Sequence, residues 1–275
     1  MSIVDGADAC GYPSNVFRVH KAPPTGFALF NFTVCVPPVS GDYPSTQRLI
    51  EWMEMNRLLG VELFTFYNKS INSHVTPIFR EYMNQGIVEI LHWNLPTREV
   101  HYHAQTASMY DCLHRHRGRA SFTGFLDLDE FLIPHSAEDM TWGDMMKRLP
   151  LACSYSFRSS FFPGNYSYVY DGKGLTKDAL LKHSYLLNRL KRKNFIYNHH
   201  ERSKFIVRPE QISSFSVHVT YNCTSGGKVE LVSPDVGLIH HYRNDKLVPR
   251  GTIWDNTTSK YENVLRERYI QLIEI

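Results

Sequence analysis

Between Phe27 and Leu126 the chain alternates short apolar, β-branched runs with longer amphipathic ones, and this alternation restricts the fold more than any other feature. Phe27 to Val36 reads as a buried first strand, stopped by Pro37-Pro38. After a loop over Ser40 to Pro44, Ser45 or Thr46 caps a helix to Leu59 that Gly60 closes. Val61 to Tyr67 is the second strand, Val75 to Gln85 a second helix ending at Gly86, and Ile87 to His92 the third strand. A further helix is expected over Val100 to His116, with Tyr102, Thr106, Met109 and Leu113 on its less polar face. Ala120 to Leu126 is the fourth strand. Such an order implies a mostly parallel α/β sheet with right-handed crossovers, whose ligands sit beyond the carboxyl ends of the strands.

A length of 275 residues with 43% hydrophobic content suits one such domain. After Pro134 the regularity falls, leaving a short helix over Trp142 to Leu149 and strands over Ser154 to Phe162, Lys204 to Val207, Phe215 to Tyr221 and Val236 to His241. Asn165 to Asn198 has no clear period and is expected to be a loop or lid. The 30 basic and 27 acidic residues are mixed along the chain, so nothing implies a nucleic-acid partner. Aromatic content of 13% is common where sugar rings are held against flat faces.

Five cysteines with no CxxC pair suggest neither a zinc site nor a redox motif, and one or two disulfides are compatible with them. Glycosylation sequons begin at Asn31, Asn68, Asn165, Asn222 and Asn256, more than chance would give, and they lean toward a secretory-pathway lumen. No apolar run reaches the roughly 18 residues of a membrane helix, and Met1 to Ala9 lacks the regions of a signal peptide. For a lumenal protein, the anchor or signal is then expected to be missing from this chain.

The chemistry concentrates in three clusters. Asp127-Leu128-Asp129 follows the fourth strand directly and precedes Glu130-Phe131-Leu132. Two carboxylates two residues apart at a strand end can hold a divalent cation and leave positions open for phosphate oxygens, as transfer from a nucleoside diphosphate sugar requires. An exposed turn is the bland alternative; a phosphotransferase of the haloacid-dehalogenase type would instead carry its Asp-x-Asp on the first strand. The second cluster, Gly237 to Asn244, ends a strand in His240, His241 and Arg243. Both histidines are candidate metal ligands, Arg243 a candidate phosphate partner, and alternation along a strand lets only one of the two histidines face an ion. The equal alternative is that both are core or rim residues. In the third, Glu201 to Pro209, Arg202 and Lys204 can face a diphosphate from one side of a strand or lie on a solvated edge.

Together these clusters resemble glycosyltransferase family 92. The resemblance runs from about Phe30 to the C-terminus through Val34 to Pro38, Gly60-Val61, Gln105, Asp111 to Leu113, Phe125 to Phe131, Arg202 to Lys204 with Pro209, and His240 to Arg243. It implies a GT-A type single domain over 26–275 after an N-terminal extension at 1–25, with a nucleotide-binding half at 26–134 and a mixed, acceptor-binding half at 135–275. It also implies a UDP-sugar donor (UDP-galactose in characterised members), a manganese ion and inverting transfer to a glycan or glycoprotein acceptor, by a type II membrane protein of the Golgi. On that analogy Cys35, Val36 and Pro37 with Tyr67 or Asn68 line the uridine pocket, and Gln105, Arg202, Lys204 and Arg243 complete the donor site. Asp127 and Asp129 hold the metal together with ribose or phosphates, and Cys35 pairs with Cys112. An inverting transferase also needs a general base, for which Glu201 and Asp235 are the candidates, with a surface charge the alternative reading of either. A catalytically inactive glycan-binding domain that kept the GT-A fold is the alternative function.

Overall fold

The structure is a computed structural model that describes residues 28–41, 44–95, 97, 100–164, 181–244 and 251–273. The expected N-terminal extension, the sequon at Asn165 and residues 165–180 of the expected lid lie outside the described residues.

The first half supplies β1 (Phe30–Gly41), α1 (Thr46–Leu58), β2 (Leu63–Ile71), α2 (Thr76–Asn84), β3 (Val88–His92), α3 (Gln105–His116), β4 (Ala120–Phe125) and β5 (Glu130–Pro134). The second half continues with α4 (Trp142–Lys147), β6 (Ser154–Phe157), β7 (Ser159–Pro163), α5 (Tyr185–Asn188), β8 (Lys191–Lys193) and β9 (Lys204–Val207). It ends with β10 (Ile212–Phe215), β11 (Thr220–Cys223), β12 (Val229–Val232), β13 (Gly237–Arg243), β14 (Thr252–Trp254) and α6 (Glu262–Ile273).

The main sheet has the order β12-β6-β9-β4-β1-β2-β3. Within it β9 alone is antiparallel to its neighbours, so the mostly parallel α/β sheet flanked by helices is observed. Because β6, β9 and β12 extend the sheet begun by β1 to β4, the first and second halves of the chain share one backbone scaffold. A second sheet, β5-β13-β7, stands beside it, and β10 with β11 forms a hairpin.

Side-chain alternation explains the core. Phe64 and Phe66 point from β2 to one side and meet Trp52 of α1 edge-on, with ring centroids 5.4 and 6.1 Å apart. Phe66 also meets Phe79 of α2 at 4.8 Å. Helix α1 is buried on every side from Thr46 to Asn56, between the sheet and α6, which is why its sequence shows only a weak apolar stripe. Ser45 caps it through Arg48 N, and Gly60, at φ +100, lets the chain turn back into β2. On the opposite side of the sheet His116 of α3 lies between the hydroxyls of Thr33 (Nδ1, 2.6 Å) and Thr65 (Nε2, 2.9 Å).

Four expectations are corrected. Strand β1 does not stop at Pro37-Pro38; it runs to Gly41, its pairing with β2 skipping from Val36 to Val39 because proline has no N–H to give the ladder. The helix expected from Val100 begins at Gln105, because Tyr102, His103 and Ala104 adopt left-handed backbone with φ of 45, 55 and 58°. Ser154 to Phe162 is not one strand. The chain leaves the main sheet at Arg158, whose guanidinium bonds the carbonyls of Tyr197 and Ile196, and continues as β7 in the second sheet. Phe215 to Tyr221 is likewise not a strand; it contains the tip of the β10–β11 hairpin.

Among the described residues no helix is long and apolar enough to cross a membrane. Cys35 on β1 is bonded to Cys112 on α3, the expected pair, and Cys153 is bonded to Cys223.

Candidate active site

The carboxyl end of β4 delivers Asp127 to Glu130 into a tight turn held from both directions. Glu130 N donates to Asp127 O at 3.1 Å, and Asp127 N donates to Glu130 Oε2 at 3.1 Å. The indole N–H of Trp52, buried in α1, donates to both Asp127 O and Glu130 O at 3.1 Å, and Tyr242 N donates to Asp129 O at 2.8 Å. The core therefore grips the turn by its backbone and leaves its carboxylates to the cleft.

Two basic groups meet those carboxylates. Lys204, buried on β9, lies 2.8 Å from Asp127 Oδ2 and 3.1 Å from Glu130 Oε2. His241, placed opposite Glu130 by the pairing of β13 with β5, has Nε2 3.2 Å from Asp129 Oδ2 and Nδ1 3.3 Å from Glu130 Oε1, the latter without hydrogen-bond alignment. Burial alone would neutralise Lys204 and His241, but the surrounding carboxylates outweigh it and push both pKa values up. Burial pushes Glu130 up against the pull of Lys204, whereas Asp129 is held down by His241 despite its burial.

The cleft they border has a volume of about 770 Å³. Its other walls are Val36 to Val39 at the end of β1, His101 to Thr106 at the entrance to α3, Val217 and His218 at the hairpin tip, and Arg202, Arg243 and Asn244. Arg202 and Arg243 both flank the ring of Phe161, at 5.3 and 5.0 Å, which sets two guanidiniums on the same rim.

The structure thus brings together Val36, Pro37, Gln105, Asp127, Asp129, Arg202, His241 and Arg243 at one cleft, with Lys204 behind the carboxylates. It does not bring the other candidates there. Cys35 is in its disulfide, Tyr67 donates to Asp111 Oδ2 at 2.6 Å, and the Asn68 side chain accepts from Ile71 N at 2.8 Å. Glu201 is exposed and accepts from Asn198 N at 3.2 Å. Asp235 is exposed before the start of β13, six residues and therefore roughly 20 Å of strand from His241. Neither candidate base lines the cleft.

His240 faces away from the carboxylate turn, as alternation requires. Its Nε2 meets His135 Nε2 at 2.8 Å and Asp255 Oδ2 at 3.9 Å, and Phe162 stacks on its ring at 4.3 Å. Arg192 already holds that Asp255 oxygen at 2.9 Å, so these residues form one polar network, in which His240 Nδ1 is buried without a hydrogen-bond partner. Sequence reasoning missed four contributors: Glu130, Trp52, His218 and the left-handed rim at Tyr102 and His103. Glu130 alone carried a signal, being a third acid at the same strand end.

The remaining residues fit a divalent cation. Asp129 Oδ2 and His241 Nε2, 3.2 Å apart, have the spacing of adjacent ligands on an ion with bonds of about 2.0–2.2 Å. Glu130 beside the other ring nitrogen supplies the carboxylate–histidine support usual behind such a ligand. The carboxylate oxygens suit manganese, and an imidazole beside them also suits zinc or iron.

Residues 30–274 match the family model of glycosyltransferase family 92. A beta-1,4-galactosyltransferase of Caenorhabditis elegans, galt-1, is 32% identical over 109 residues, which is 38% of this chain and 26% of that protein. A family 92 protein of the same organism is 25% identical over 118 residues, 38% of this chain and 23% of that protein, so the matched stretch is about a quarter of either relative. Among solved structures, an S. aureus TarS fragment is similar at a TM-score of 0.46 and 11% identity, covering 78% of this chain and 60% of that one. GalNAc-T7 with UDP, GalNAc and Mn2+ is similar at 0.45 and 10% identity, covering 80% and 45%.

Proposed function

The chain belongs to glycosyltransferase family 92, and from that premise we propose that it transfers a sugar from a UDP-sugar to a glycan or glycoprotein acceptor with inversion and with a divalent metal. The observation that carries the proposal is the pairing of Asp129 with His241 at 3.2 Å on the wall of the cleft. A manganese ion held there by Asp129 and His241, with Asp127 alongside, would stabilise the charge of the departing diphosphate without a proton. Arg202 and Arg243 would bind phosphate oxygens from the rim beside Phe161. Val36 and Pro37 would pack against the nucleotide at the end of β1, where ligands of open α/β sheets sit. Lys204 bridges Asp127 and Glu130 and holds them in place.

Galactose is the proposed sugar, because the galt-1 relative is named a beta-1,4-galactosyltransferase. A Golgi or secretory-pathway lumen is the proposed site, in a type II membrane protein. Exposed sequon asparagines at Asn31, Asn222 and Asn256 and the two disulfides support it.

The test is transfer and hydrolysis of UDP-galactose with and without manganese, comparing wild type with Asp129→Ala. Manganese-dependent turnover in wild type and its loss in the variant are expected. If neither UDP binding nor turnover responds to metal or to the substitution, the proposal fails.

A further inference from the structure

The cleft contains one imidazole whose hydrogen bonding prepares it to accept a proton. Val217 and His218 form the tip of the β10–β11 hairpin, which closes through Ser216 N donating to Val219 O at 2.7 Å. The hairpin is pinned on two sides. Cys223 is bonded to Cys153, and Thr220 Oγ1 lies 2.8 Å from Ser154 Oγ in the interior. On the other side Phe215 stacks on Tyr110 of α3 at 4.4 Å and tilts against Phe125 of β4 at 5.2 Å. A tip anchored in this way presents its side chain to the cleft at a fixed place.

His218 Nδ1 lies 3.0 Å from the carbonyl oxygen of Ser203. A carbonyl only accepts, so Nδ1 carries the proton, and the neutral ring keeps its lone pair on Nε2. Burial and the positive charges of Lys204 and Arg202 hold the His218 pKa below the ordinary histidine value, with Asp127 opposing them more weakly than burial and Lys204 act. Among the described lining residues, the three carboxylates and His103 are engaged. Lys204 holds Asp127 and Glu130, His241 holds Asp129, and His103 Nδ1 lies 2.7 Å from Lys69 Nζ. His101 is exposed on the outer rim, edge-on to Tyr102 at 4.5 Å.

We propose that His218, through Nε2, is the general base that takes the proton from the acceptor hydroxyl during sugar transfer, in place of Glu201 or Asp235. The assignment rests on the inverting-transferase reading above. As the acceptor O–H bond breaks, its proton passes to Nε2 and the oxygen's electron pair forms the bond to the anomeric carbon. The bond from that carbon to the diphosphate oxygen breaks, and its electron pair leaves with UDP. Solvent then takes the proton from the imidazolium.

Steady-state kinetics of His218→Gln and His218→Ala, with UDP–manganese titrations and the anomeric configuration of the wild-type product by NMR, test it. The expected result is a kcat lowered by about 10²–10⁴, with UDP–manganese affinity within about threefold of wild type. The acid limb of the wild-type kcat/KM profile should vanish in both variants, and added imidazole should restore part of the His218→Ala rate. An inverting wild type whose His218 variants keep kcat within about threefold, or lose UDP affinity as much as rate, overturns the assignment and leaves the transferase reading standing. A wild type that retains configuration or transfers nothing overturns the reading itself, and the assignment with it.

Discussion

Neighbours in sequence, His240 and His241 occupy opposite faces of β13 and meet opposite electrostatics. His241 lies between Asp129 and Glu130, and although burial disfavours its charged form, those carboxylates push its pKa up. His240 is packed under Phe162 against a second imidazole, with its nearest carboxylate at 3.9 Å already held by Arg192, and burial drives its pKa well down. Desolvation acts on both rings in the same direction. The sign of the outcome is therefore decided by the nearest uncommitted charge, and a ring forced neutral serves packing while a ring held by two acids can serve a cation.

Removing the acid that defines the cleft face should have the largest effect. Asp129→Ala is expected to lower kcat/KM by at least about 10³ and to abolish its dependence on manganese concentration, since the ion's stabilisation of developing charge is worth several kcal/mol. His241→Asn should weaken manganese binding at least 10–100-fold, the range that even outer-shell partners cost; His240→Asn should leave it within about twofold. Equal losses from the two histidines would erase the contrast.

Lys204→Met attacks the same face from behind. It strands Asp127 and the buried Glu130, and urea denaturation should show a loss of about 3–5 kcal/mol. An effect below about 1 kcal/mol would mean the carboxylates are solvated and need no counter-ion.

A buried histidine far from the cleft sharpens the rule about neutral rings. Burial holds His116 down to about 4, among threonine hydroxyls. A depressed folded pKa confers stability that is present above about 6.5, the unfolded value, and is lost as pH falls toward 4, on the order of 3 kcal/mol in full. Glu51 slopes the other way. Burial raises it to about 7, so its contribution is present below about 4.5 and is lost as pH rises to 7. Chemical denaturation across pH 4–7 should therefore show His116→Gln reducing the loss of stability as pH falls and Glu51→Gln reducing the loss as pH rises toward 7. The smallest effect is expected of His240→Asn on stability, about 1–2 kcal/mol for the lost His135 contact, read as a shift in the urea midpoint.

Much of the first half of the chain was legible because its signals are local. Apolar runs, caps and glycine stops located β1 to β4 and α1 to α3 with small boundary errors, and the two main departures have backbone causes. Prolines 37 and 38 interrupt a ladder without ending the strand, and the residues at 102–104 take left-handed conformations that side-chain pattern does not encode. The second half was less legible. Strands there change sheets at Arg158 or reverse at Val217-His218, and in both places the apolar pattern continues through the break. The candidate bases Glu201 and Asp235 lie outside the cleft lining, since proximity to a strand motif says nothing about which end of the strand opens on the cleft.

By itself the sequence determined the α/β class, the position of Asp127 and Asp129 at a strand end, and the rule that only one of His240 and His241 can share their side. These follow from periodicity, a property of neighbouring residues. Tertiary structure alone decided that the sharing histidine is His241, that Lys204 and Glu130 join it, that Trp52 holds the turn from 75 residues away, and that a pinned hairpin tip presents His218. Each of those contacts joins residues far apart in the chain, and their spacing and electrostatics exist only once the sheets are packed together.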